Sequence, residues 1–169
     1  MKIAKVGGFA LLVGLLIAGW QTGSVAQGRL VIGQSNANFG VHSLRGGFVP
    51  DPKSINVTSG GGIAAGSTQA PGHCGGYVTS QPDVIVNYSN AASFLRFYFQ
   101  AQGGGDTTLV INDANGNWHC NDDSHGGVNP TVDINNPPSG QYDIWVGSYE
   151  ANTNIRGQLK ITELQSNHP

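Results

Sequence analysis

The sequence predicts an all-β protein: an antiparallel, jelly-roll-like β-sandwich that follows a cleaved signal peptide. Three observations carry this prediction. Short segments alternate apolar and polar side chains with a period of two. In "SFLRFYFQA" (93–101), Leu95, Phe97 and Phe99 share one face while Arg96, Tyr98 and Gln100 share the other. Clusters of Gly, Asn, Pro and Asp separate these segments at the spacing of an antiparallel sandwich. No stretch beyond the first apolar run sustains a helical period.

The chain opens with a basic "MKIAK", then an apolar run, Val6–Trp20, and small residues "SVA" at 24–26. This is the pattern of a signal peptide covering 1–26, with Gln27 as the first mature residue. It points to a secreted or periplasmic protein with no membrane span in the mature chain. No cysteine follows the apolar run, which argues against a lipid anchor. Residues 27–47 are polar and glycine-rich. They read as a partly flexible mature N-terminal segment with one strand around Phe39–Leu44. The sandwich domain is expected over 48–165. Its strands fall near Ser54–Thr58, Gly76–Ser80, Asp83–Tyr88, Phe94–Ala101, Thr107–Asn112, Asn117–Asn121, Thr131–Ile134, Tyr142–Tyr149 and Gly157–Leu164. In "QYDIWVGSY" (141–149), Tyr142, Ile144 and Val146 are expected inward, with Trp145 and Tyr149 on the second face. Asn115-Gly116 marks a hairpin, and "NNPPSGQ" (135–141) a second turn.

Cleavage leaves 143 residues, six of them basic and ten acidic, a net charge of −4. The scattered Lys and Arg form no basic patch, so nothing indicates a nucleic-acid partner. Two cysteines in an exported chain favour a Cys74–Cys120 disulfide. Closing a loop of that length stabilises by about 4 kcal/mol on the chain-entropy estimate. Each cysteine follows a histidine, so a Cys2His2 zinc site is the alternative. Adjacent strand residues point to opposite faces, however, and an His-Cys pair seldom gives both ligands to one metal.

Between Arg96 and Arg156 there is no Lys or Arg, yet the stretch holds Asp106, Asp113, Asp122, Asp123, Asp133, Asp143 and Glu150. Such carboxylates either form a solvated acidic face or hold a hard cation. Calcium takes roughly six to eight oxygen ligands from flexible loops. Asp122 and Asp123, flanked by Asn121 and Ser124, with Asp106 or Asp113 from the neighbouring turn, suit it. "DANGN" (113–117) lacks the flanking helices and terminal Glu of an EF-hand.

In "HCNDDSHGG" (119–127), Ser124 has His119 and His125 close in sequence, which raises a serine-hydrolase alternative. Sequence neighbours on a strand and turn seldom converge as a triad, however. Trp118, Trp145 and Tyr149, with Tyr98, are candidate ligand-face aromatics for a sugar or a protein partner. Self-assembly through strand edges is a third reading.

The segment Asp106–Tyr149 resembles bacterial pre-peptidase C-terminal (PPC-type) domains in their stand-alone exported form. The likeness lies in the order of an Asp-bearing strand, the "DANG" hairpin, the "NDDS" loop, a Pro/Gly turn and the final "YDIWVGSY" strand. More loosely it runs from "GGFVPDP" (46–52) to Leu164. The resemblance implies a non-catalytic jelly-roll-type sandwich. It also implies cation ligation at Asp106, Asp113, Asp122 and Asp123, and a role in binding a protein or polysaccharide partner.

Overall fold

The computed structural model describes residues 28–169; the expected signal peptide lies outside the described residues. Eleven strands are formed: β1 (Val41–Arg45), β2 (Lys53–Thr58), β3 (Ile63–Ala64), β4 (Tyr77–Val78), β5 (Val84–Ser89), β6 (Phe94–Ala101), β7 (Thr107–Asn112), β8 (Trp118–Asn121), β9 (Thr131–Asn135), β10 (Gly140–Ser148) and β11 (Arg156–Thr162). The only helical element among the described residues is a 3-10 turn, Ala65–Ser67. No helix there is long and apolar enough to cross a membrane.

The strands build the expected all-β sandwich. One sheet, in the order β2-β11-β6-β9, is antiparallel throughout. The other has seven strands around β10. β7 and then β8 lie on one side of it, and β5 and then β1 on the other. Where β5 stops, β4 and β3 continue along the end of β10. Among the described residues, the one parallel pair is β1 with β5. From β5 to β11 the chain passes repeatedly between the sheets, so sequence neighbours such as β9 and β10 belong to different sheets.

The alternation in the sequence sets the inner faces. Leu95, Phe97 and Phe99 from β6, with Leu159 and Ile161 from β11, pack against Leu109 and Ile111 from β7 and Tyr142, Ile144 and Val146 from β10. Tyr142 lies between Tyr88 and Phe97, with ring centroids 6.5 and 5.8 Å away. Its hydroxyl donates to Pro138 O at 2.6 Å, so the burial leaves no unmet polar group there.

The outer face of the larger sheet is covered as well, which corrects two expectations. Trp145, a candidate ligand-face aromatic, is fully buried. It packs in a second apolar cluster with Val78, Val110, Leu30, Ala65, Ala70 and Cys74. The alternation placed it on the second face correctly, but residues distant in sequence close over that face. Nor is the 28–47 segment a loose lead-in to a domain starting at Phe48. Leu30 is fully buried in that cluster, worth about 2 kcal/mol. The Gln69 amide bonds both backbone groups of Leu30. Gly33 N donates to Asp143 Oδ2 at 2.7 Å, and β1 joins the sheet.

On the smaller sheet's outer face the Arg96–Tyr98 part of β6 is buried, while Ser54, Asn56, Asp133 and Asn135 stay exposed. Arg96 forks onto Asp133, with Nε–Oδ1 2.6 Å and Nη2–Oδ2 2.7 Å. Its Nη1 donates to the carbonyls of Gln165 and Asn167, which fastens the last residues across β6. Asp133 therefore has a basic partner, Arg96, at the edge of the stretch that lacks Lys and Arg.

Cys74 and Cys120 form a disulfide, with Cα atoms 5.3 Å apart, and no free cysteine remains. The zinc alternative falls with it, since both sulfurs are spent. The bond fastens the 71–76 loop onto the outer face of β8, beside the carboxylates considered next.

Candidate functional site

Strand register decides which of the expected cation ligands meet. β7 and β8 pair with Asn112 opposite Trp118 and Leu109 opposite Asn121. One step further along, the chain carries Asp122 and Asp123 to the Thr107–Thr108 end of β7, where Asp106 stands. Ser148 of β10 pairs with Thr107, and Tyr149 N donates to Asp106 O at 3.0 Å, so Tyr149 and Glu150 reach the same end. Gly75 closes the rim from the disulfide loop. Thr108 Oγ1 donates to Gly75 O at 3.1 Å, and a Cβ added to Gly75 would sit 3.4 Å from Asp122 Oδ2.

Asp106 is the electrostatic focus of this rim. Desolvation pushes its carboxyl above the usual range, and Asp123, Asp122 and Glu150 push it further in the same direction. Among the described residues, its Oδ1 is buried without a hydrogen-bond partner. Every group here is a hard oxygen, the chemistry of calcium rather than zinc. Among the described residues, no group of three or more His, Cys, Asp or Glu side chains is placed so that it could hold a metal ion, the rim carboxylates included.

Asp113 does not join them. It follows the far end of β7, seven residues from Asp106 and about 23 Å away at ~3.3 Å per residue. It is also fully engaged. Oδ1 accepts from Asn115 N and Asn117 N, both at 2.9 Å. Oδ2 accepts from Asn117 Nδ2 at 3.2 Å and from His119 Nε2 at 2.9 Å. A carboxylate only accepts, so His119 donates through Nε2. Burial pushes Asp113 up, but these bonds outweigh it and hold the carboxyl below its ordinary range. The residue that resembled a cation ligand organises the β7–β8 turn instead.

The serine-hydrolase arrangement is not assembled. Ser124 sits in a tight turn, its backbone bridged to Gly127 in both directions. Its hydroxyl donates to Asn129 O at 2.7 Å and lies 2.8 Å from Thr131 Oγ1. His119 is bonded to Asp113, and His125 stacks on His168 with centroids 4.3 Å apart. Neither histidine hydrogen-bonds Ser124 among the described residues.

Two of the candidate aromatics keep exposed surface. Tyr149 is 46 % exposed at the acidic rim. Trp118 is half-buried, packed against Trp145 with centroids 5.8 Å apart and planes at 35°. Glu150 and Gly75 are rim residues that the motif reading did not select. Glu150 was visible only as one acid among seven, and Gly75 only as a neighbour of Cys74.

No protein-family profile matches the chain, and no curated protein matches it. The functional reading therefore rests on its own residues.

Proposed function

We propose that this chain is an exported, non-catalytic β-sandwich binding module of the pre-peptidase C-terminal kind. In this reading it is steadied by calcium and binds a protein or polysaccharide partner. The observation that carries the calcium part is Asp106: a carboxylate with a buried, partnerless oxygen, crowded by Asp122, Asp123 and Glu150 with no basic side chain from residue 97 to 155. Calcium supplies the missing positive charge and would be held by Asp106, Asp122, Asp123 and Glu150 with nearby backbone carbonyls. These residues come from the starts or ends of three strands and a loop. An ion among them would tie β7, β8 and β10 together at the end the disulfide loop covers. The non-catalytic part is supported by Ser124, whose hydroxyl is committed to a backbone carbonyl rather than to an imidazole.

Melting the disulfide-intact protein in calcium, in equal magnesium and in chelator tests the proposal. Calcium is expected to raise the melting temperature well above the other two conditions. Equal values in all three would contradict it.

A further inference from the structure

A second concavity lies at the Asp113 end of the same sheet, away from the acidic rim. Ile32 and Gly33 form one wall, the β7–β8 turn another, and Gln141 and Asp143 at the start of β10 the third. Its volume is about 240 Å³, below the range of about 300–1,000 Å³ for clefts that take drug-sized molecules, so it admits one ring or one side chain.

The floor is unusual in its unspent hydrogen-bonding capacity. Asn112 and Asp143 sit directly opposite each other on β7 and β10, and both are more than nine-tenths buried. Asp143 accepts one bond at each oxygen: from Gly33 N at 2.7 Å on Oδ2 and from Gln141 Nε2 at 2.8 Å on Oδ1. A carboxylate has about four acceptor sites, so roughly half of its capacity is free. The amide of Asn112 reaches Asn117 O only at 3.5 Å, and its Oδ1 accepts nothing among the described residues. Asp113, by contrast, is saturated. Directly across from Asn112 on β8 stands Trp118, but it packs on Trp145 and does not line the cleft.

We infer that this cleft is a subsite for one neutral pyranose ring of a polysaccharide, with adjacent ring hydroxyls held between the Asp143 carboxylate and the Asn112 amide. The inference rests on the binding-module reading and selects the polysaccharide within it. A hydroxyl both donates and accepts. A carboxylate that accepts, next to an amide that does both, therefore matches two neighbouring hydroxyls. Two carboxylates and no Lys or Arg in the lining repel uronate or sulfated sugars. A lysine or arginine side chain would also donate to Asp143. It would, however, leave the free N–H of Asn112 without an acceptor.

Isothermal titration of the disulfide-intact chain with cellohexaose, chitohexaose, laminarihexaose and mannohexaose tests this, with polygalacturonate and poly-L-lysine as charged probes. At least one neutral hexasaccharide is expected to bind. Asn112→Ala is expected to weaken it about tenfold, the scale of one lost polar contact. Ile32→Trp, at an exposed wall residue, is expected to do the same by filling the cleft while leaving the melting temperature unchanged. Failure of all four sugars, equal binding by Ile32→Trp, or binding of poly-L-lysine alone would overturn the inference. The outcomes separate the two claims. A calcium-dependent rise in melting temperature without sugar binding ends the cleft reading only. Cleavage of the sugars, read by mass spectrometry, ends the non-catalytic reading.

Discussion

At the hairpin end of β7, Asp113 accepts four hydrogen bonds and is held acidic; at the other end, Asp106 has a buried oxygen with no partner among the described residues and is pushed the opposite way. The side chain is the same, and both lie in a stretch without basic residues. The difference is the number of N–H groups the local backbone aims at each carboxylate. The Asn115-Gly116 turn folds its amides back onto Asp113, whereas the strand end at Asp106 offers none. A carboxylate that the chain itself satisfies is architecture, and one it leaves unsatisfied is a place for something else.

The disulfide should give the largest effect, because it holds the 71–76 loop over the rim. Reducing Cys74–Cys120, or replacing both by Ala, is expected to cost about 4 kcal/mol in a denaturant titration. Amide exchange should rise first around 71–76 and the Asp106 end. Uniform loosening, including the Asp113 turn, would show that the two ends are not independent.

Asp113→Ala comes next. It strands two backbone amides and removes the partner of His119, so urea titration is expected to show a loss of about 3 kcal/mol. Asp122→Ala in chelator should cost less than about 0.5 kcal/mol, or even stabilise, because it relieves repulsion. Equal losses would erase the distinction between the ends.

Asp83 sharpens the comparison. It is buried, and it accepts from Val146 N at 2.8 Å and Asn38 Nδ2 at 3.0 Å, with Thr79 Oγ1 at 3.4 Å. Desolvation nonetheless prevails over those bonds and raises its carboxyl to about 6. The folded protein then holds a proton that the unfolded chain, titrating near 3.9, has already released. Stability is therefore lost as pH rises from about 4 through 6, by about 3 kcal/mol in all. Relative to wild type, Asp83→Asn should show a denaturation curve flatter by that amount between pH 4 and 7. Parallel pH profiles would contradict the assignment. Asp113 has the opposite sign: its contribution is present above the unfolded carboxylate range and is lost as pH falls below about 4.

Much of the fold was legible in the sequence because period-two patterning is local. Leu95, Phe97 and Phe99 declare an inner face within one strand, and the Asn-Gly turn declares the β7–β8 pairing. What escaped was non-local. A single Leu30 in a polar segment does not announce that it will sit over Trp145, and a two-residue strand such as β3 is too short to show a pattern. Parallel pairing of β1 with β5 leaves no turn signature. The candidate site was legible in kind but not in membership. Seven acids without neighbouring bases were visible. The β7–β8 register, which sends Asp113 to one end and Asp122 and Asp123 to the other, appears only once the strands are paired. Asp133 was counted among the unpaired acids because its partner, Arg96, bounds the stretch in sequence and faces Asp133 across the β6–β9 pair.

The most direct test of the rim is calorimetry of the disulfide-intact protein with calcium at about 100 times its dissociation constant, compared with chelator, for wild type and for the double variant Asp122→Asn, Asp123→Asn. Wild type should gain about 2.7 kcal/mol, a rise of about 8 °C for a domain of this size, and the variant should gain nothing. No shift in wild type, or the same shift in both proteins, would contradict a cation site at the Asp106 end.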